Sequence, residues 1–272
     1  MPSLYVVATP IGNLEDISLR ALRTLREVKL IAAEDTRKTK RLLTTYDIKT
    51  PMTSYYEHNK LTKLDYILDC LKGGDVALVS EAGTPGLSDP GYELILAASR
   101  SGIPVIPIPG ASVVITALTI SGLATDRFTY LGFLPRKAGD RRKLLESAAG
   151  DPGTIIILET PHRLVDSLGD MLSILGDRRI AVCRELTKLH EEVFRGRISQ
   201  AIEHFTEPRG EFTLVIEGRV ENHQMVLNKD IRQQLQGMRL SGIKAKEAVA
   251  QVAGETGISK RELYRAWLER VN

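Results

Sequence analysis

Three glycine-bearing loops contain most of the residues in this sequence that are able to do chemistry. "TPIGNLED" (residues 9–16) offers Pro10 and Gly12, and "VSEAGTPGLSDPG" (79–91) offers Glu81, Gly83, Thr84, Pro85, Gly86 and Asp89. "PGAS" (109–112) brings Gly110, Ala111 and Ser112 to the start of a helical pattern. Glycines let backbone approach a ligand closely. A helix that begins at Ala111 or Ser112 leaves unpaired N–H groups, which favour an anion such as a carboxylate. Glu81 and Asp89 are natural partners for hydroxyls. A P-loop would end in Gly-Lys-Ser/Thr, and the second loop has no lysine, which argues against a nucleoside triphosphate. Glu34 and Asp35 follow Gly12 by 22 and 23 residues, near the spacing of a ribose-binding acid in a dinucleotide fold. Two of the three fingerprint glycines are missing, however, and Asp35 or Thr36 capping the next helix accounts for much of that spacing.

A ligand touching all three loops would meet N–H donors at one end, backbone carbonyls in the middle and carboxylates beside them. S-adenosylmethionine has matching needs: a carboxylate to anchor, a sulfonium that prefers carbonyls to cations, and a ribose diol. On residue chemistry alone it is a candidate.

The elements that must position these loops follow from periodicity. Up to residue 125, apolar runs ("LYVVAT", "LIAA", "MTSYY", "VALVS", "VIPI") alternate with helical patterns. That order predicts βαβ units and a parallel sheet, with ligands bound beyond the carboxyl ends of the strands. A second unit, 126–221, offers the strands "FTYLGF", "GTIIIL", "RIAVCREL", "EEVFRGRI" and "FTLVIEG". Their short connections predict an antiparallel or mixed sheet. "VENHQMVLNKD" reads as a linker, and 228–272 as an all-helical domain. The expected fold class is therefore α/β, with two α/β domains and a small C-terminal helical domain.

At 272 residues and 43% hydrophobic, the chain suits one large domain or two ordinary ones. No run approaches the roughly 18 apolar residues of a membrane span and no signal peptide is evident, so no membrane partner and a cytoplasmic location are expected. Cys70 and Cys183 have no metal-ligand spacing, so no metal is expected and both read as small buried hydrophobes. The net charge is only +3, but residues 228–272 carry nine Lys/Arg against five Asp/Glu. Arg37, Lys38, Lys40 and Arg41 form a further basic cluster, and Arg136, Lys137, Arg141, Arg142 and Lys143 another. Three such clusters point to a polyanionic partner, although a solvated face is the plain alternative for each.

In the tail, "IKAKEAVAQVAGETG" places Ala245, Ala248, Val249, Val252 and Thr256 on one helical face, and "SKRELYRAWLER" opens with Ser259 and Glu262 in capping-box spacing. The short turn between them predicts a helix-turn-helix, with Leu263 and Trp267 in the core and Lys260, Arg261, Arg265 and Arg270 exposed. A packing or dimer module is the alternative.

"VVATPIGNLEDISLRALRTLREV", "IAAEDTRKTKRLL", "SEAGTPGLSDPG", "PIPGAS", "GFLPRK", "ETPHR" and "GEFTLVIEG" occur in order over residues 6–218. As a set they resemble the ribosomal small-subunit RNA 2′-O-methyltransferase I family, within the tetrapyrrole-methylase-like methyltransferases. The resemblance implies two α/β halves with S-adenosylmethionine in the cleft between them, a homodimer, and methylation of a decoding-centre cytidine ribose in the 16S rRNA of the 30S subunit. It makes Gly83, Thr84, Pro85 and Gly86 the match to a Gly-Asp-Pro cofactor loop. Thr84 replaces the usual aspartate, which leaves Asp89 or Glu81 to supply an acidic contact. Gly110, Ala111 and Ser112 match a second cofactor loop, and Glu159, Thr160, Arg184 and Thr213 would close over the adenosine. A 2′-hydroxyl is a weak nucleophile and gains from a proton acceptor; the candidates are Asp35, Glu34, His58 and His162. Arg37, Arg136, Lys137, Arg141, Arg142, Lys260, Arg261 and Arg265 are the expected RNA contacts. A tetrapyrrole C-methyltransferase and a ligand-sensing nucleic-acid-binding regulator are the competing readings.

Overall fold

The computed structural model describes residues 1–219, 229–256 and 258–268. The chain forms two compact units, Met1–Arg219 and Val220–Asn272.

The first unit contains two five-stranded sheets. In the N-terminal sheet, β1 (Leu4–Val7), β2 (Leu30–Ala33), β3 (Met52–Ser54), β4 (Val76–Val79) and β5 (Val105–Ile108) run parallel in the order β3-β2-β4-β1-β5. Every residue of β2 and β4 is buried, as expected for parallel strands covered on both faces. Alternate residues feed two cores: Ile31, Ala33, Ala77 and Val79 face one way, and Leu30, Ala32, Val76 and Leu78 the other. Helices α1 (Leu19–Glu27) and α2 (Thr36–Thr45) cover the first face, and α3 (Lys60–Lys72) and α4 (Tyr92–Arg100) the second. Ser18 caps α1 by accepting from the Ala21 amide at 3.1 Å, and Asp35 caps α2.

The C-terminal sheet runs β6-β7-β10-β8-β9, from β6 (Phe128–Phe133), β7 (Thr154–Glu159), β8 (Arg179–Arg184), β9 (Glu192–Arg197) and β10 (Phe212–Ile216). Only β6 and β7 pair in parallel; the other pairs are antiparallel, so the sheet is mixed, as the short connections predict. One face carries α6 (Ala138–Ala148), α7 (Leu164–Leu175) and α8 (Ile198–His204). The opposite face, through Ile156, Ala181, Cys183 and Val215, packs on Val114, Ala117 and Leu118 of α5 (Val113–Ile120). Helix α5 follows β5 directly, so the two sheets share a core through it.

The described residues of the second unit form α9 (Lys229–Leu240), α10 (Ala245–Thr256) and α11 (Lys260–Leu268) around Ile231, Leu235, Val249, Val252 and Leu263, with Trp267 packed against them. The Glu262 amide donates to Ser259 Oγ at 3.3 Å, which caps α11 after the short turn from α10. Lys229 and Asp230, expected at the end of a linker, instead open α9, where Asp230 meets the positive end of the helix dipole. The rest of that linker and Arg270 lie outside the described residues.

Candidate active site

The three loops singled out by composition leave three adjacent strands, β4, β1 and β5, at their carboxyl ends. They are stitched together. Thr9 and Gly83 exchange backbone hydrogen bonds at 2.9 and 3.0 Å, and the Thr84 hydroxyl donates to the Ala111 carbonyl at 3.4 Å. Gly83 has φ +78°, a conformation that a side chain would strain. A Cβ on Gly12 would come within 2.6 Å of Lys188 Cγ and Thr187 Oγ1, so the β1 loop sits directly on the β8–β9 connection. Ser112 is the N-cap of α5 but makes no side-chain cap bond, which leaves the first-turn N–H groups for another acceptor.

Between the sheets lies a cavity of about 280 Å³. Ile11, Ala82 and Val113 line it from the N-terminal half, and Phe133, Thr160, Pro161, Cys183, Leu186, Phe212 and Thr213 from the other. No lysine or arginine lines it, so the wall suits a sulfonium and an apolar ring and offers nothing that repels a cation. Burial pushes the Cys183 thiol up to about 11, which keeps it neutral there. A second cavity of about 320 Å³ shares Ile11, Ala82 and Glu211, and is rimmed by Pro10, Lys38, Arg41 and Lys188.

Glu159 reaches the first cavity's wall, but its carboxylate is already occupied. It accepts from Arg163 Nη2 at 2.6 Å, Ser167 Oγ at 2.6 Å and the Thr160 amide at 2.7 Å. Arg163 also donates to the Leu134 carbonyl at 3.1 Å, which ties the end of β6 to the turn after β7. Arg184 is turned elsewhere, donating to the Arg209 carbonyl at 2.7 Å and Glu192 at 3.1 Å.

The acids at the carboxyl edge divide by environment. Asp35 accepts from the Arg37 amide at 2.8 Å, which holds its carboxyl below the usual range, and it serves as a helix cap. Glu34 accepts from the Glu81 amide at 2.9 Å, while Glu81 is ion-paired with Lys38. Asp89 is pushed up to about 7, first by burial and then by repulsion from Glu34, with the Ser80 hydroxyl opposing and Glu81 adding to the rise. His58 is exposed, its ring 6.2 Å from that of Tyr56. His162 is also exposed, with Nε2 3.4 Å from the Thr160 hydroxyl at the cavity wall.

Arg37, Arg136, Lys137 and Arg142 are exposed on the first unit, and Lys260, Arg261 and Arg265 on α11 of the second. Arg141 is not available to a partner. Its side chain is 9% exposed and pairs with Asp170 at 2.6 Å, locking α6 to α7, while Arg142, 61% exposed, pairs with the same carboxylate at 2.8 Å. Asp170 lies 29 residues away, and local charge density gives no sign of that pairing. Composition also gave no warning of Leu186, Phe133 or Val113, because an apolar cavity wall has the same periodicity as core. Among the described residues no group of three or more His, Cys, Asp or Glu is arranged for a metal ion, and no helix is long and apolar enough to cross a membrane.

A parallel α/β half, a mixed-sheet half and a cleft between them define a methylase of the tetrapyrrole type. The family model for tetrapyrrole (corrin/porphyrin) methylases matches residues 3–202. The fold is shared with a solved uroporphyrin III C-methyltransferase from Thermus thermophilus, with a TM-score of 0.59 and 21% identity over 79% of this chain and 97% of that one. Sequence relatives are more specific. "Ribosomal RNA small subunit methyltransferase I" of Halalkalibacterium halodurans is 48% identical, covering 97% of this chain and 94% of its own. That of Synechocystis is 48% identical, with coverage of 99% and 98%. That of Thermotoga maritima is 49% identical over 80% of this chain and 100% of its own. The chain belongs to the ribosomal RNA small subunit methyltransferase I family.

Proposed function

We propose that this protein transfers a methyl group from S-adenosylmethionine to the ribose 2′-hydroxyl of a decoding-centre cytidine in the 16S rRNA of the 30S subunit, as a homodimer in the cytoplasm. The observation that carries the reading is the cation-free cavity between the two sheets, walled on one side by Ile11 and Ala82 of the first two glycine loops and by Val113 just after the third. Thr160 and Thr213, which line it, would lie beside the donor's adenosine, while the Gly83–Gly86 loop and the Gly110–Ser112 helix start, outside the lining, would hold its amino-acid end, with Glu81 or Asp89 near its hydroxyls. Bound there, the donor supplies an electrophilic methyl on a sulfonium.

The chain's own contribution is chiefly positioning: the hydroxyl oxygen must approach in line, in a cleft that excludes water. Asp35 and Glu34 are committed to backbone amides and His58 touches no residue of the cavity lining, so His162, whose Nε2 is 3.4 Å from the hydroxyl of lining residue Thr160, would take the hydroxyl proton. Arg37, Arg136, Lys137 and Arg142, with Lys260, Arg261 and Arg265, would bind RNA phosphates.

Incubation with labelled S-adenosylmethionine and either 30S particles lacking the modification, naked 16S RNA or a tetrapyrrole acceptor tests the reading. Label on a 16S ribose supports it. Label on the tetrapyrrole alone, or on no RNA, sinks it.

A further inference from the structure

We propose that Phe133 is the stacking surface for the unpaired base of the target nucleotide, with Arg136 and Lys137 on the following turn receiving its flanking phosphates. This rests on the RNA methyltransferase reading above and specifies how the acceptor enters the cleft.

Phe133 ends β6 and lines the 280 Å³ cavity, yet is 52% exposed. Its neighbour Leu134 is 2% exposed and belongs to the core under α6 and α7. The chain therefore turns one apolar side chain inward and holds the next at the cavity mouth. The placement is built. The strand register shifts between Tyr130 and Gly132, and Gly132 has φ +66°. Just beyond Phe133, the Leu134 carbonyl accepts from Arg163, which is itself anchored by buried Glu159. The Ser88–Tyr130 hydrogen bond, at 2.6 Å, joins the same strand to the second glycine loop.

A large exposed aromatic beside a deep cavity marks a binding surface rather than leftover core. Arg136 and Lys137 follow within four positions, are exposed and form no ion pair among the described residues. An aromatic face flanked by unpaired cations is complementary to a base and its phosphates. Such a surface suits the reaction. A ribose within a stacked helix cannot bring its 2′-oxygen to the floor of a cavity between two sheets, so the nucleotide must leave the stack. The extruded base then needs a π face to replace the one it lost.

The test compares Phe133→Ala, Phe133→Leu and Phe133→Trp for KM and kcat on unmethylated 30S particles and for S-adenosylmethionine Kd by calorimetry, with thermal melts to confirm folding. Phe133→Ala and Phe133→Leu should each raise KM for the particle about tenfold. Phe133→Trp should bring particle KM back toward wild type, and in Phe133→Ala and Phe133→Leu the rise in particle KM should exceed any rise in donor Kd. A raised donor Kd with unchanged particle KM would assign Phe133 to the donor's adenine and overturn the proposal. Wild-type behaviour of Phe133→Leu would reduce it to apolar packing. Failure of the wild-type protein to methylate any RNA would sink the parent reading instead, a result distinct from either.

Discussion

The Glu34 carboxylate accepts the backbone N–H of Glu81 at 2.9 Å, so the acid that follows β2 holds the start of the glycine loop after β4. Glu34 is thus a fastener in the cleft rather than a free base. Glu34→Gln retains an acceptor oxygen and should keep kcat within about threefold. Glu34→Ala leaves the amide unpartnered and should raise the donor Kd about tenfold, the scale of one hydrogen bond to a charged group. Titration calorimetry and initial rates check both. A collapse of kcat in Glu34→Gln would restore Glu34 as the base.

Asp89 gives the protein a pH dependence of predictable sign. Its folded-state value is pushed up to about 7, whereas an unfolded aspartate titrates near 3.8. Between those values the folded chain holds more protons than the unfolded one, so this group's contribution to stability falls as pH rises through the window. Asp89→Asn removes the charge and should raise Tm relative to wild type, with a larger gain at pH 8 than at pH 5. Equal gains at both pH values would contradict a raised Asp89.

The Glu159 side chain has no exposed surface, and that of Arg163 only 15%. Glu159→Ala would leave a buried guanidinium without its anion, at a cost of about 3 kcal/mol. For a unit of this size that is about 9 °C in Tm. Because the same carboxylate holds the Thr160 amide, donor affinity should weaken as well. A melt unchanged to within a degree would show that Arg163 finds another partner.

What was legible in the sequence and what was not divide along a physical line. The strands were visible because β2 and β4 are unbroken apolar runs, and the loops because glycine, proline and acids interrupt them at the carboxyl ends. Asp35 was legible as a cap because capping is local. Arg141 read as one more cation in a basic run, and its burial against Asp170 depends on a contact between two helices. Cys183 has the sequence setting of a small buried hydrophobe; it is buried, but it also faces the cavity, and that distinction exists only once β8 is paired with β10.

His162 is exposed, with its Nε2 3.4 Å from the hydroxyl of Thr160, which lines the cavity. If it takes the hydroxyl proton, His162→Ala should lower kcat about a hundredfold, the lower range for a general base, and leave the donor Kd unchanged. Wild-type kcat in the variant would remove His162 from the reaction.

The charges of α11 are expected to act on affinity and not on chemistry. The Thermotoga maritima relative is matched along its full length by 80% of this chain, which leaves about a fifth of this chain, the size of the helical unit, without a counterpart there. Replacing Lys260, Arg261 and Arg265 together with alanine should weaken particle binding and reduce the slope of log K against log salt by about two, since each phosphate contact contributes roughly 0.7 to 0.9. The three side chains are exposed and outside the helical core, so folding should be unaffected. Donor Kd and kcat at saturating particle should match wild type. An unchanged salt slope would make the helical unit a packing module, and a lowered kcat would place it within reach of the reacting ribose.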